Sequence, residues 1–118
     1  MKNIDSLRRN EEFQNVYKNG RSYANKYLVM YCLKNHTEKL RLGISVSKKV
    51  GNSVVRHRIA RLIRESYRQH KGQFSNGLDM IVVARASAKG KGLKEIESSY
   101  LHLAKMHGIL LETNNKRD

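Results

Sequence analysis

Hydrophobic positions along the chain change their spacing several times, and each change marks an element. From Leu40 to Ser47 the alternation is strict: Leu40, Leu42, Ile44 and Val46 are interleaved with Arg41, Gly43, Ser45 and Ser47. That period of two predicts a strand with one core face. The other face is small, polar and basic, which suits an open surface better than a second packed layer. From Ser53 to His70 the period lengthens, and Val55, Ile59, Leu62, Ile63 and Ser66 form the inward stripe of a helix. Gly51-Asn52 separates the two segments, with Asn52 or Ser53 placed to cap the helix.

The remaining pattern completes a small domain. Asn10 to Gly20 predicts a short helix: Asn10 suits the cap, Glu11 and Glu12 suit the positive end, and Gly20 suits the exit. Phe13, Val16 and Tyr17 share one face of it. Leu28 to Lys34 predicts an apolar and aromatic strand, with Ser22 to Asn25 as an optional further short strand. Asn35 to Lys39 is a polar turn, which predicts a hairpin into the Leu40 strand. Asp79-Met-Ile-Val-Val-Ala84 is an unbroken apolar run fit for a central strand. Leu93, Ile96, Tyr100, Leu103 and Ala104 then mark a third helix ending near Gly108. The order is α-β-β-α-β-α, an α+β class. The 118 residues suffice for one domain, 1–118, and not for two well-cored ones. Thr113 to Asp118 reads as a frayed tail.

Charge changes the picture. The chain carries 24 Lys and Arg against 10 Asp and Glu, a net charge of +14. Self-repulsion at that charge opposes compaction, so a polyanionic partner is implied. Nucleic acid fits through phosphate neutralisation and counterion release. An anionic membrane asks for bulky apolar anchors or a lipid signal, and the sequence has neither. The cations are also concentrated: Lys48 to Lys71 holds eight Lys or Arg and one acid, Glu65. His57, Arg61, Arg64, Arg68 and Lys71 fall opposite the apolar stripe, flanked by Arg56 and Arg58. A merely solvated face would intersperse glutamates to relieve that repulsion. No apolar stretch reaches the roughly 20 residues that span a bilayer, and residues 1–6 lack a secretory signal, which predicts a cytoplasmic protein.

Catalytic chemistry finds little support in the residues. Cys32 is the one cysteine, so no disulfide or Cys-rich zinc site forms within the chain, and it reads as a small buried hydrophobe. Asp5, Asp79 and Asp118 are scattered, and His36, His57, His70, His102 and His107 sit in no catalytic or metal-ligand spacing. All but His57 read as surface residues. Lys89-Gly-Lys-Gly92 lacks P-loop spacing and reads as a flexible basic turn. Arginines suit phosphate through permanent charge and bidentate donors. Phe13, Tyr17, Tyr31 and the further candidates Tyr23 and Tyr27 offer either stacking surfaces or core; spacing alone leaves both open.

Taken in order, the residues resemble the protein component of bacterial ribonuclease P. The resemblance rests on Leu7-Arg-Arg-Asn-Glu-Glu-Phe13, on Arg41-Leu-Gly-Ile-Ser-Val-Ser-Lys-Lys-Val-Gly-Asn52, on Arg56-His-Arg-Ile-Ala-Arg-Leu-Ile-Arg-Glu65, and on Asp79 to Arg85. Two positions depart from the family pattern: His57 stands where Arg-Asn-Arg has its Asn, and Ala60-Arg61 stands where Lys-Arg is usual. His57 can still donate a hydrogen bond.

The resemblance implies an α/β sandwich on a mostly antiparallel central sheet, like the second domain of a small-subunit ribosomal protein. Its strand-helix-strand crossover would be left-handed, an exception to the usual rule. It implies that the chain assists a catalytic RNA in removing the 5′ leader of precursor tRNA, with Mg²⁺ held mainly by that RNA and no catalytic or metal-binding side chain here. Lys48, Lys49, Asn52, Arg56, His57, Arg58, Arg61, Arg64 and Arg68 would meet the RNA subunit. Phe13, Tyr17 and Tyr31 would hold the single-stranded leader, and the open strand face adds Arg41, Ser45 and Ser47. The protein would act as a monomer within the holoenzyme. A non-catalytic structural RNA-binding protein, ribosomal in kind, is the alternative.

Overall fold

The most apolar run of the chain takes the middle of the sheet. A computed structural model describes residues 5–111. In it α1 (Asn10–Asn19) is followed by β1 (Arg21–Ala24), β2 (Leu28–Lys34), β3 (Leu40–Val46), α2 (Ser53–His70), β4 (Leu78–Ala84) and α3 (Leu93–His107). The strands lie in the order β1-β2-β4-β3. β4 runs antiparallel to β2 and parallel to β3, with α2 as the crossover. The fold is α+β, with a four-stranded mixed sheet and three helices. The expected tail at 113–118 lies outside the described residues.

The hairpin expected across Asn35 to Lys39 does not form. β2 and β3 are separated by β4, and the turn straddles the start of that strand: Asn35 N–H donates to Gly77 O (2.9 Å), and Gly77 N–H donates to Lys39 O (3.0 Å). The hairpin is instead β1 with β2. The reason is burial. Six of the seven β4 residues are buried, so β4 needs a neighbour on both edges, and a local turn signal carries no trace of that demand.

Helices cover both faces. The stripe of α2 and the apolar side of α3 pack with Leu28, Met30, Leu42, Met80 and Val82 into the main core. On the other face α1 lies over a smaller cluster of Leu7, Val16 and Ile81. Asn52 caps α2, its side-chain oxygen accepting Val55 N–H at 3.0 Å. Asn10 is not the cap of α1. Arg9 holds that place, and Glu12 accepts the backbone N–H groups of Arg8 (2.8 Å) and Arg9 (2.9 Å). Gly108 ends α3 in the left-handed region, φ 70°.

Several core members escaped the periodicity. Tyr67 and Phe74 are buried; the Tyr67 hydroxyl donates to Leu40 O at 3.2 Å, and burial pushes its pKa up to about 12. Three histidines read as surface residues are engaged. His107 Nε2–H donates to Met30 O (2.8 Å) and packs edge-on to Tyr23. His70 meets Glu97 at 2.6 Å, and His102 meets Asn25 at 3.1 Å. Cys32 is buried as expected, with its thiol pushed up to about 12.

Candidate nucleic-acid interface

Two surfaces of opposite character share this scaffold. The first is the outer face of α2. His57, Arg58, Arg61, Arg64 and Arg68 are exposed along it, and Arg56 is half-buried. Arg68 pairs with Glu65 at 2.9 Å, and Arg58 donates to Lys91 O at 2.9 Å. His57, Arg61 and Arg64 have no acidic partner among the described residues. Arg56 Nε is buried with no hydrogen-bond partner, so one edge of that guanidinium is held by packing. Lys48 and Lys49 stand exposed on the turn between β3 and α2. Asn52 sits with them, but its oxygen is committed to the helix cap, leaving its amide group for a partner.

The second surface is the sheet face under α1. Because side chains alternate, Tyr31, Ile81 and Gly43 form one row across β2, β4 and β3. Phe13 stands directly over Gly43; a Cβ there would lie 2.8 Å from two ring carbons, so only glycine lets the helix come this close. Tyr17 meets Tyr31 edge-on with ring centres 4.9 Å apart, and Phe13 lies 6.4 Å from Tyr17. All three rings are half-buried. Each therefore contributes packing while remaining partly exposed. The next row, Val29, Val83 and Ser45, is also half-buried and gives a trough beside the rings a mixed apolar and hydroxyl floor. Ser47 lies beyond the strand, which ends at Val46, and is exposed on the turn.

Arg41 does something the sequence did not disclose. Its Nε and Nη2 donate to the two oxygens of Asp79 at 2.7 Å each, and Nη1 donates to Glu12 at 3.2 Å. Asp79 is 3% exposed and also accepts from Asn35 Nδ2 at 2.8 Å. Asp79, through its hydrogen bond and charge, holds the Arg41 guanidinium above its ordinary pKa. The N–H groups of Arg9 and Arg8, with help from Arg41, hold the Glu12 carboxyl below its usual value. Arg41 thus shares the sheet face under α1 with Gly43 and Ser45, with three donors already used to tie α1 to the sheet. Asp79 was missed because it looked like an isolated acid at the start of an apolar run.

The two surfaces meet at the edge of β3. A hollow of about 200 Å³ there is lined by Phe13 from α1, Arg64 from α2, Gly43 and Ile44 from β3, and Ser6 and Leu7. Among the described residues no three His, Cys, Asp or Glu side chains converge, and Asp79 is paired with Arg41.

A family model described as ribonuclease P matches residues 1–108. The chain belongs to the ribonuclease P protein family. The ribonuclease P protein component of Lachnoclostridium phytofermentans is 59% identical over 114 residues, covering 97% of this chain and 98% of the relative. The solved ribonuclease P protein of Staphylococcus aureus superposes with a TM-score of 0.85 at 39% identity, covering 92% of this chain and 99% of that one. The protein from Thermotoga maritima gives a TM-score of 0.80 at 30% identity, with 86% and 96% covered. No helix among the described residues is long and apolar enough to cross a membrane.

Proposed function

We infer that this chain is the RNA-gripping protein subunit of ribonuclease P, a ribonucleoprotein endoribonuclease that matures the 5′ ends of tRNA. The catalytic RNA performs phosphodiester hydrolysis and holds Mg²⁺. The protein, as a monomer in the holoenzyme, supplies binding energy in two places. The face of α2, with Lys48, Lys49 and the amide of Asn52, neutralises phosphates of the RNA subunit. The trough beside Phe13, Tyr17 and Tyr31 takes the single-stranded leader, whose bases stack on accessible ring faces, a contact worth about 1–3 kcal/mol per base. Ser45 and Ser47 offer hydroxyls along its far side, and Arg41, held by Asp79 and Glu12, fixes α1 over the sheet.

One observation carries the reading above the others. Free guanidinium groups and half-open aromatic rings lie on different faces of one small sheet and converge where Arg64 and Phe13 line the same hollow. Two polyanions brought together there repel each other, and a cationic wedge between them offsets that repulsion. Mixing the protein with precursor tRNA, with and without a cognate RNA subunit at limiting Mg²⁺, tests the division of labour. Protein alone should leave the precursor intact, and protein should stimulate cleavage by the RNA. Cleavage by protein alone, or no stimulation, would refute it.

A further inference from the structure

The segment Lys89-Gly-Lys-Gly92, flexible by sequence, is a built turn in the structure. Ala88 N–H donates to Arg85 O (2.9 Å) and Lys91 N–H to Ala88 O (3.1 Å), while Gly92 N–H donates to the Glu95 carboxylate (2.7 Å). Arg58 reaches across from α2 to Lys91 O. That bond joins the cationic face of α2 to a second group of cations, Lys26, Lys89, Lys91 and Lys94.

Two of them, Lys26 and Lys94, line an open groove of about 460 Å³ between the β1–β2 turn and α3, together with Tyr27, Ser98 and His102 above Asn25. Its floor is rigid. Asn25 Oδ1 accepts from Ser99 Oγ (2.6 Å) and Leu28 N–H (3.2 Å), Asn25 Nδ2 donates to Ser99 O (2.9 Å), and Asn25 O accepts from Arg85 (2.7 Å). The ammonium groups of Lys26 and Lys91 stand over the Tyr27 ring, 5.5 Å and 5.6 Å from its centre. Glu95 is the one acid on the lining, and one of its oxygens is engaged by Gly92.

We propose that this groove receives one unstacked nucleotide of the RNA subunit, its base beside Tyr27 and its phosphates on Lys26, Lys91 and Lys94. The proposal rests on reading the α2 face as the RNA-subunit surface and extends that surface around the end of the molecule. Its volume is that of a small-ligand site. An aromatic ring with flanking cations is the chemistry that holds an unpaired base and its backbone. The groove lies on the α3 side of the sheet, opposite Phe13 and Tyr17, so nucleotides in the trough do not enter it.

Binding of the full chain to the RNA subunit, measured across a salt series, tests this. Lys26→Ala with Lys94→Ala should weaken binding about tenfold and make the salt slope shallower by roughly 1.4, two phosphates at single-strand values. Ser98→Trp should also weaken it about tenfold, because the indole fills the groove without altering charge. Thermal unfolding of each variant checks the fold. As an independent readout, a hydroxyl-radical probe on Ser98→Cys, with the native thiol buried, should cut the RNA subunit at one short stretch. Unchanged affinity with no localised cutting overturns the groove, and so does a loss confined to precursor tRNA binding by the assembled holoenzyme. Arg61→Ala, Arg64→Ala and Arg68→Ala together separate the two failures. If that triple variant loses affinity while the groove variants do not, only the groove falls; if it too binds normally, the α2 reading falls with it.

Discussion

Arg41 and Arg61 are the same residue in opposite circumstances. Under α1, the Arg41 guanidinium is gripped on three nitrogens by Asp79 and Glu12. On α2, Arg61 and Arg64 are exposed and pair with no acid among the described residues. Composition counts these groups as equal contributions to a charge of +14. Physically they do different jobs: one sets the position of a helix, and the others are left available for phosphate. The number of cations points to a polyanionic partner; the placement of the few acids separates cations already engaged from those left available.

The contrast is open to direct attack, and the largest effect should come from its locked side. Asp79→Ala strands Arg41 over a buried site, and we expect a loss of about 3 kcal/mol in chemical denaturation, near the lower end for broken buried pairs because Arg41 is 30% exposed. Arg41→Met with Asp79→Leu should recover most of it. On the α2 face, Arg61→Ala, Arg64→Ala and Arg68→Ala together should weaken RNA-subunit binding roughly a hundredfold near 0.1 M salt, with stability changed little, since the one ion pair lost, Arg68 with Glu65, is exposed. Equal damage to stability from this variant would erase the distinction. Phe13→Ala with Tyr31→Ala should reduce the preference for leader-bearing over leaderless tRNA by about tenfold; loss for both substrates alike would point to damaged folding.

The smallest effect concerns pH. Glu12 has its pKa lowered in the fold, so its stabilisation is fully present above its ordinary value of 4.5 and disappears as pH falls through the lower folded value. Glu12→Gln should flatten that part of an acid-denaturation curve and leave neutral behaviour of the α2 face untouched. An acid limb identical to wild type would remove Glu12 from the tie between α1 and the sheet.

How far the sequence could be read follows from the range of the forces involved. α2 came out with its limits, cap and basic face because each is written within one helical turn of its neighbours. β3 was legible for the same reason, up to Ser47, where the turn begins one residue early. What failed was whatever joins distant segments. The insertion of β4 between β2 and β3 depends on burial of both faces of β4, and the Arg41–Asp79 bond spans 38 positions. Tyr67 was overlooked because its ring completes a core that α3 and β3 build together. On the two candidate surfaces, which aromatic and cationic residues share a face was readable, whereas which cation would be spoken for was not.

The short contact of residues 5–7 with β3 has a consequence for solution behaviour. Leu7 N–H donates to Leu42 O, and Leu42 N–H donates to Asp5 O, each at 2.9 Å, so the outermost strand of that side is partly sealed by the chain's own beginning. A strand without bare amides gives a second molecule nothing to zip onto over that stretch. The same few residues that frame the hollow at Phe13 therefore also discourage edge-to-edge aggregation.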